Sequence, residues 1–269
     1  MKSAAIGVFD SGIGGLTVVK ELAALMPHEK IIYFGDTARA PYGSRPPAQI
    51  IDFMNQFLRF FAKQEVKMAV VACNTMTALG LEAARSMYSY PLVGMTTGVR
   101  TALEATKTKN IGVIATQAAV ASGKHGKMLK ELDDAARFYP QACPDFVPLI
   151  EQGILSGSVL EAAAKEYLIP LVKAKVDALI LGCTHYPLIS PLIQQIMGKT
   201  VTLVNPAGET ARAAYRELNK RDLLASTGEG SIKIGFSGDS VMARDLSQNI
   251  IRGCKSEFIK AELEEYAII

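Results

Sequence analysis

Val70-Val71-Ala72-Cys73-Asn74-Thr75 is a short β-rich run that ends on a thiol and turns into a helical pattern. Further along the chain, Leu179-Ile180-Leu181-Gly182-Cys183-Thr184-His185 does the same. Each reads as a buried strand that delivers a cysteine to a strand-to-helix turn. The likeness is local and is not a sequence repeat, yet it puts one Cys at the same point of two successive halves. Around these points strand-like runs (4–9, 30–34, 68–72, 91–94) alternate with helical patterns (16–25, around 53–61, 77–87). In the second of these helices Phe53, Phe57, Phe60 and Phe61 share one face.

The pattern restarts near residue 98. Strands are expected over 110–115, 146–149, 178–181 and 201–204, and helices around 123–132, over 157–174 in spite of Pro170, and over 190–197. Another helix over 206–218, a polar glycine-containing stretch to residue 231, a strand over 232–237 and a final helix complete the chain. This alternation predicts an α/β fold of two pseudo-symmetric domains with largely parallel sheets. The first domain is expected over 1–97 plus 208–269 and carries Cys73; the second, over 98–207, carries Cys183. Active loops belong beyond the carboxyl ends of the strands, facing the cleft between the domains.

Composition narrows the function classes. Of 269 residues, 49% are apolar and 20% charged, enough for a sizeable core and against disorder. The net charge of +3 is spread without a Lys/Arg run, which argues against nucleic acid. No apolar stretch approaches the roughly 20 residues of a membrane span. Met1-Lys2-Ser3 runs straight into a strand-like segment, so no secretory leader is expected. The four cysteines, Cys73, Cys143, Cys183 and Cys254, form no Cys-x-x-Cys pair, the pattern of free thiols in a reduced cytoplasm.

A thiol at the start of a helix is drawn toward thiolate by the helix dipole and by unpaired N–H groups. A lone buried Cys is commonly a small hydrophobe, but two in matched positions, followed by Asn74-Thr75 and Thr184-His185, suit proton transfer. Racemisation needs a base on one face of a planar intermediate and an acid on the other, and two thiols meet that need. Phe9-Asp10-Ser11-Gly12-Ile13-Gly14-Gly15 opens a helix after the first strand. It lacks dinucleotide spacing, and Asp10 would repel a pyrophosphate; Asp10 and Ser11 better suit an ammonium and a carboxylate. In Asp36-Thr37-Ala38-Arg39-Ala40-Pro41-Tyr42-Gly43, Pro41 and Gly43 set an irregular backbone whose N–H groups can meet a ligand. His185 stands where it can polarise Cys183. Glu151, read as a carboxylate in a turn after a strand, can orient His185 or Cys183. The three histidines are too scattered for a metal site, and Cys143 and Cys254 read as structural.

Taken in order from about residue 5 to 215, these motifs, with Gly182-Cys183-Thr184-His185-Tyr186-Pro187-Leu188, closely resemble those of the glutamate racemases in the aspartate/glutamate racemase superfamily. The resemblance implies interconversion of L- and D-glutamate with no pyridoxal phosphate, nucleotide or metal. It implies a bacterial cytoplasmic homodimer that supplies D-glutamate for peptidoglycan and cell-wall synthesis, with no nucleic-acid or membrane partner. By position it makes Cys73 and Cys183 the catalytic thiols, Cys73 serving the D-enantiomer and Cys183 the L-enantiomer. Asp10 then assists Cys73, and Glu151 and His185 assist Cys183. Substrate contacts fall to Asp10, Ser11, Pro41, Tyr42, Gly43, Asn74, Thr75, Thr116, Thr184 and His185. Two positions depart from the family: Ala119 stands where a second Thr is common, and His125 where a Tyr is common. An aspartate or hydantoin racemase, or a non-catalytic two-lobed amino-acid binder, are the competing readings.

Overall fold

The computed structural model describes residues 2–238 and 241–260. Its contacts divide the chain into two compact units, the described residues of Met1–Met95 with Ala207–Ile269, and Thr96–Pro206.

The first unit begins β1 (Ile6–Asp10), α1 (Leu16–Leu25), β2 (Lys30–Gly35), α2 (Pro47–Lys63), β3 (Met68–Val71), α3 (Asn74–Leu79), α4 (Leu81–Ala84) and β4 (Leu92–Gly94). The second unit runs α5 (Val99–Ala105), β5 (Asn110–Ala115), α6 (Gln117–Ala121), α7 (Lys124–Leu132), β6 (Arg137–Ala142), α8 (Phe146–Glu151), α9 (Ser158–Lys173), β7 (Ala178–Gly182), a 3-10 turn (Tyr186–Ile189), α10 (Ser190–Met197) and β8 (Thr202–Val204). The chain then returns to the first unit with α11 (Ala207–Lys220), β9 (Ser231–Phe236), α12 (Val241–Ile250) and β10 (Ser256–Phe258).

The sheets are ordered β10-β9-β2-β1-β3-β4 and β6-β5-β7-β8, and every described strand pairing is parallel. The first four strands of each unit therefore follow one order, second-first-third-fourth. In both units the order reverses between the first and third strands, the point where open α/β sheets bind ligands. β1, β3, β5 and β7 are buried along their whole length, as continuous apolar runs covered on both faces require. On one face of the first sheet α2 lays down Ile50, Phe53, Phe57 and Phe61, with Phe57 stacked on Phe9 at 4.8 Å between centroids. Each such side chain contributes about 1.5–3 kcal/mol by leaving water.

Three expectations need correction. Residues 146–149 are not a strand but the start of α8, whose Phe146, Val147 and Ile150 are buried at helical spacing. Pro148 is tolerated because a first-turn residue needs no N–H partner. Glu151 is accordingly the last residue of a helix and not part of a turn after a strand. The second strand of this unit is instead β6, a half-exposed edge strand that accommodates Pro140. The helix expected over 77–87 starts earlier, at Asn74, and breaks at Gly80 into α3 and α4.

His125, in the first turn of α7, is buried and its Nε2 has no hydrogen-bond partner. Burial, helped by neighbouring Lys124, pushes its imidazole down to about 4. The unfolded chain takes up the proton near the ordinary 6.5. The stability held by the neutral ring is therefore complete above that value and is lost as pH falls toward about 4. Between pH 7 and pH 4 the parent is expected to lose about 3 kcal/mol relative to His125→Gln, read from urea unfolding at the two pH values.

Candidate active site

Strand register makes the matched cysteines equivalent. In the first unit Phe9 pairs with Val71, so Asp10 ends level with Ala72 and Cys73 follows. In the second Ala115 pairs with Gly182 and Cys183 follows. The second strands also close alike, with Asp36 N–H donating to Asp10 O at 3.0 Å and Cys143 N–H to Ala115 O at 2.9 Å. Each thiol thus stands one residue beyond the same step of the same third strand. Both cysteines are buried, and neither takes part in a disulfide.

In the first unit, Cys73 is the extended residue ahead of α3, and its carbonyl accepts the Thr77 N–H at 2.9 Å. Thr77 Oγ1 in turn donates to Val71 O and accepts the Met95 N–H at 3.1 Å, which ties the first turn of α3 to the strand ends. Thr75 is buried, and the buried Asn74 side-chain NH2 has no hydrogen-bond partner, a donor held ready for a ligand atom. Asp10 is fully buried and accepts the Ser11 N–H at 2.7 Å.

The loop after β2 is braced by Asp36, a residue whose role the sequence reading did not single out. Asp36 Oδ2 accepts Arg39 Nε at 2.6 Å and the Tyr42 hydroxyl, and Oδ1 accepts Ser237 Oγ at 2.6 Å. The Arg39 guanidinium lies 3.9 Å over the Phe53 ring. Burial, then the Asp36 charge and its hydrogen bond, push the Tyr42 phenol far up, so it stays protonated and donating. Pro41 and Gly43 flank Tyr42 and are half-buried. Gly35 is required at the root of this loop, because a Cβ there would stand 2.3 Å from Gly12 O.

In the second unit the thiol has a charge partner. Cys183 Sγ lies 3.7 Å from His185 Nδ1, and His185 Nε2 lies 2.5 Å from Glu151 Oε1. Burial alone would lower the His185 pKa, but the hydrogen bonds and charges of Cys183 and Glu151 outweigh it and hold the imidazolium well above its ordinary 6.5. The stability this proton supplies is complete below that value and is lost as pH rises through the elevated one. In Glu151→Gln, His185 is expected to titrate lower by imidazole NMR, and the stability deficit, greatest below pH 6.5, should shrink as pH rises.

Thr184 is buried beside this triad. Tyr186, fully buried, donates to Cys143 O at 3.1 Å and packs edge-on against Phe146, so the 3-10 turn is anchored to the start of α8, the helix that ends in Glu151. Thr116 caps α6, its hydroxyl accepting the Ala119 N–H at 3.3 Å. The structure therefore joins Cys183, His185 and Glu151 in one hydrogen-bonded chain, and sets Asp10 and Cys73 on adjoining strand ends. Among the described residues no three His, Cys, Asp or Glu side chains group as a metal site, and no helix is long and apolar enough to cross a membrane.

The Asp/Glu/Hydantoin racemase model matches residues 16–214. The glutamate racemase of Gloeothece citriformis is 45% identical over 214 residues, covering 79% of this chain and 76% of that protein. The glutamate racemase of Carboxydothermus hydrogenoformans is 42% identical over 244 residues, 91% of each. The crystal structure of the Francisella tularensis glutamate racemase in complex with D-glutamate matches with a TM-score of 0.89 at 34% identity, covering 99% of this chain and 100% of that one. Aspartate racemase from Picrophilus torridus, at 15% identity and a TM-score of 0.54, shares the fold alone. The chain belongs to the Asp/Glu/Hydantoin racemase family and, within it, to the glutamate racemases.

Proposed function

We propose that the protein racemises glutamate by passing protons between the substrate α-carbon and two thiols. The observation that carries this reading is the identical register position of Cys73 and Cys183 in two units of the same strand order. The thiolate of one cysteine removes the α-proton, and the S–H of the other delivers a proton to the opposite face. Cys183 acts on the L-enantiomer, assisted by His185 and Glu151, and Cys73 acts on the D-enantiomer, assisted by Asp10.

Charge that builds up on the substrate carboxylate is met by donors fixed in advance: backbone N–H groups after β1, β3 and β7, the Asn74 amide and the hydroxyls of Ser11, Thr75, Thr116 and Thr184. Tyr42, held by Asp36, shapes the loop that carries Pro41 and Gly43. Neither proton transfer calls on a cofactor or metal.

The same reading makes the expected domains, 1–97 plus 208–269 and 98–207, both contributors to the reaction. It makes the protein a cytoplasmic homodimer that provides D-glutamate for peptidoglycan; this part rests on the family. The test is a chiral assay of purified protein under reducing conditions with L-glutamate or L-aspartate. D-glutamate should form without added cofactor and aspartate should turn over far more slowly. Faster turnover of aspartate, or none of either, would overturn the assignment.

A further inference from the structure

A cavity of about 370 Å³ opens in the first unit at the amino-terminal ends of β2, β9 and β10. It lies at the opposite end of that unit's sheet from Asp10 and Cys73, which leave the carboxyl ends of β1 and β3. Its apolar wall includes Met26, Pro27 and Ile232, and its polar side includes Lys20, Arg252 and Cys254. Gly230 keeps the wall tight, since a Cβ there would stand 2.3 Å from Pro27 O.

Among the described residues the charges around the cavity do not balance. The one carboxylate in the lining, Glu29, is committed: its Oε2 lies 2.5 Å from buried Lys67 Nζ and its Oε1 accepts the Ala225 N–H at 2.8 Å. Lys255 is neutralised by Glu229. Arg252 donates to Asn249, which is uncharged, and no described carboxylate pairs with Lys20. Among the described residues, two cations thus edge an apolar recess with no carboxylate paired to them. An apolar concave wall with a few convergent charges is the make-up of a small-molecule site. We propose that this cavity binds a small amphiphilic anion, with a phosphate or carboxylate between Lys20 and Arg252 and its apolar body against Met26 and Ile232. The site is separate from the chemistry on glutamate.

Cys254 lines the same cavity and reports on its occupancy. The probe is phenyl phosphate, and the readout is the rate of Cys254 alkylation by N-ethylmaleimide, followed by peptide mass spectrometry so that other thiols do not interfere. Protection should be saturable, and at ten times the dissociation constant the rate should fall about tenfold. Lys20→Ala and Arg252→Ala, each at a residue outside the catalytic set, should weaken the protection and keep the parental racemisation rate. An unchanged alkylation rate would overturn the proposal. So would equal protection by uncharged benzyl alcohol, or full protection retained in both variants.

Discussion

Cys73→Ser and Cys183→Ser are each expected to lower racemisation of glutamate by about 10²–10⁴-fold in both directions, the range a positioned acid or base supplies. The symmetry of the effect is the informative part. In a two-base reaction every turnover uses one thiol to take a proton and the other to give one, so neither direction survives the loss of either. The hydroxyl of serine matches the size of the thiol but ionises far less readily, so the change removes the chemistry while leaving the strand ends in place. The partners differ: His185 and Glu151 stand behind Cys183, whereas Asp10 stands on the strand beside Cys73. Loss of Glu151 should therefore weigh more on the step taken by Cys183, and Asp10→Asn on the step taken by Cys73. Chiral assays started from each pure enantiomer measure all four variants.

Lys67→Met is expected to destabilise the fold by about 3–5 kcal/mol, the usual consequence of removing one partner from a buried ion pair. Lys67 Nζ is buried at the start of β3, 2.5 Å from Glu29 Oε2, and donates to Lys2 O at 2.7 Å and Leu223 O at 2.9 Å. The pair thus ties the beginning of the chain and the loop after α11 to the base of the first sheet. Without the ammonium, the Glu29 carboxylate stays buried with only the Ala225 N–H to meet it, and two carbonyls lose their donor. The double variant Lys67→Met/Glu29→Gln should recover part of the loss, because no uncompensated charge remains. Urea unfolding followed by circular dichroism measures both.

The residues that could be read in advance were those whose local pattern already contained their surroundings. Strands β1, β3, β5 and β7 are largely apolar runs, with Asp10 and Asn110 only at strand ends, and such runs announce buried parallel strands. The pairing of Cys73 with Cys183 was legible for the same reason: each follows such a run. Strand β6 was not legible. As an edge strand it needs no apolar face, and Arg137 to Ala142 carries a Pro and only half-buried positions. The apolar Phe146 to Leu149 took its place in the reading although its burial follows a helix. The Asp36–Ser237 contact and the Lys67–Glu29 pair join residues distant in sequence, and no periodicity marks them; the pairing of β2 with β9 brings the first together, and that of β1 with β2 and β3 the second. Ala119 and His125, departures from the family pattern, occupy buried positions around α6 and α7, one under the Thr116 cap and the other a neutral imidazole.

The most direct measurement of the two-thiol reaction is made in D2O, with L-glutamate and the reduced protein, at less than one-tenth conversion. A thiol that donates from the far face carries a solvent deuteron, whereas the substrate's own proton leaves on the other thiol. The account predicts that the first D-glutamate formed carries deuterium at its α-carbon while the unreacted L-glutamate remains protiated. D-glutamate that retains the original α-proton, or early deuterium appearing equally in both enantiomers, would mean one base and would contradict it.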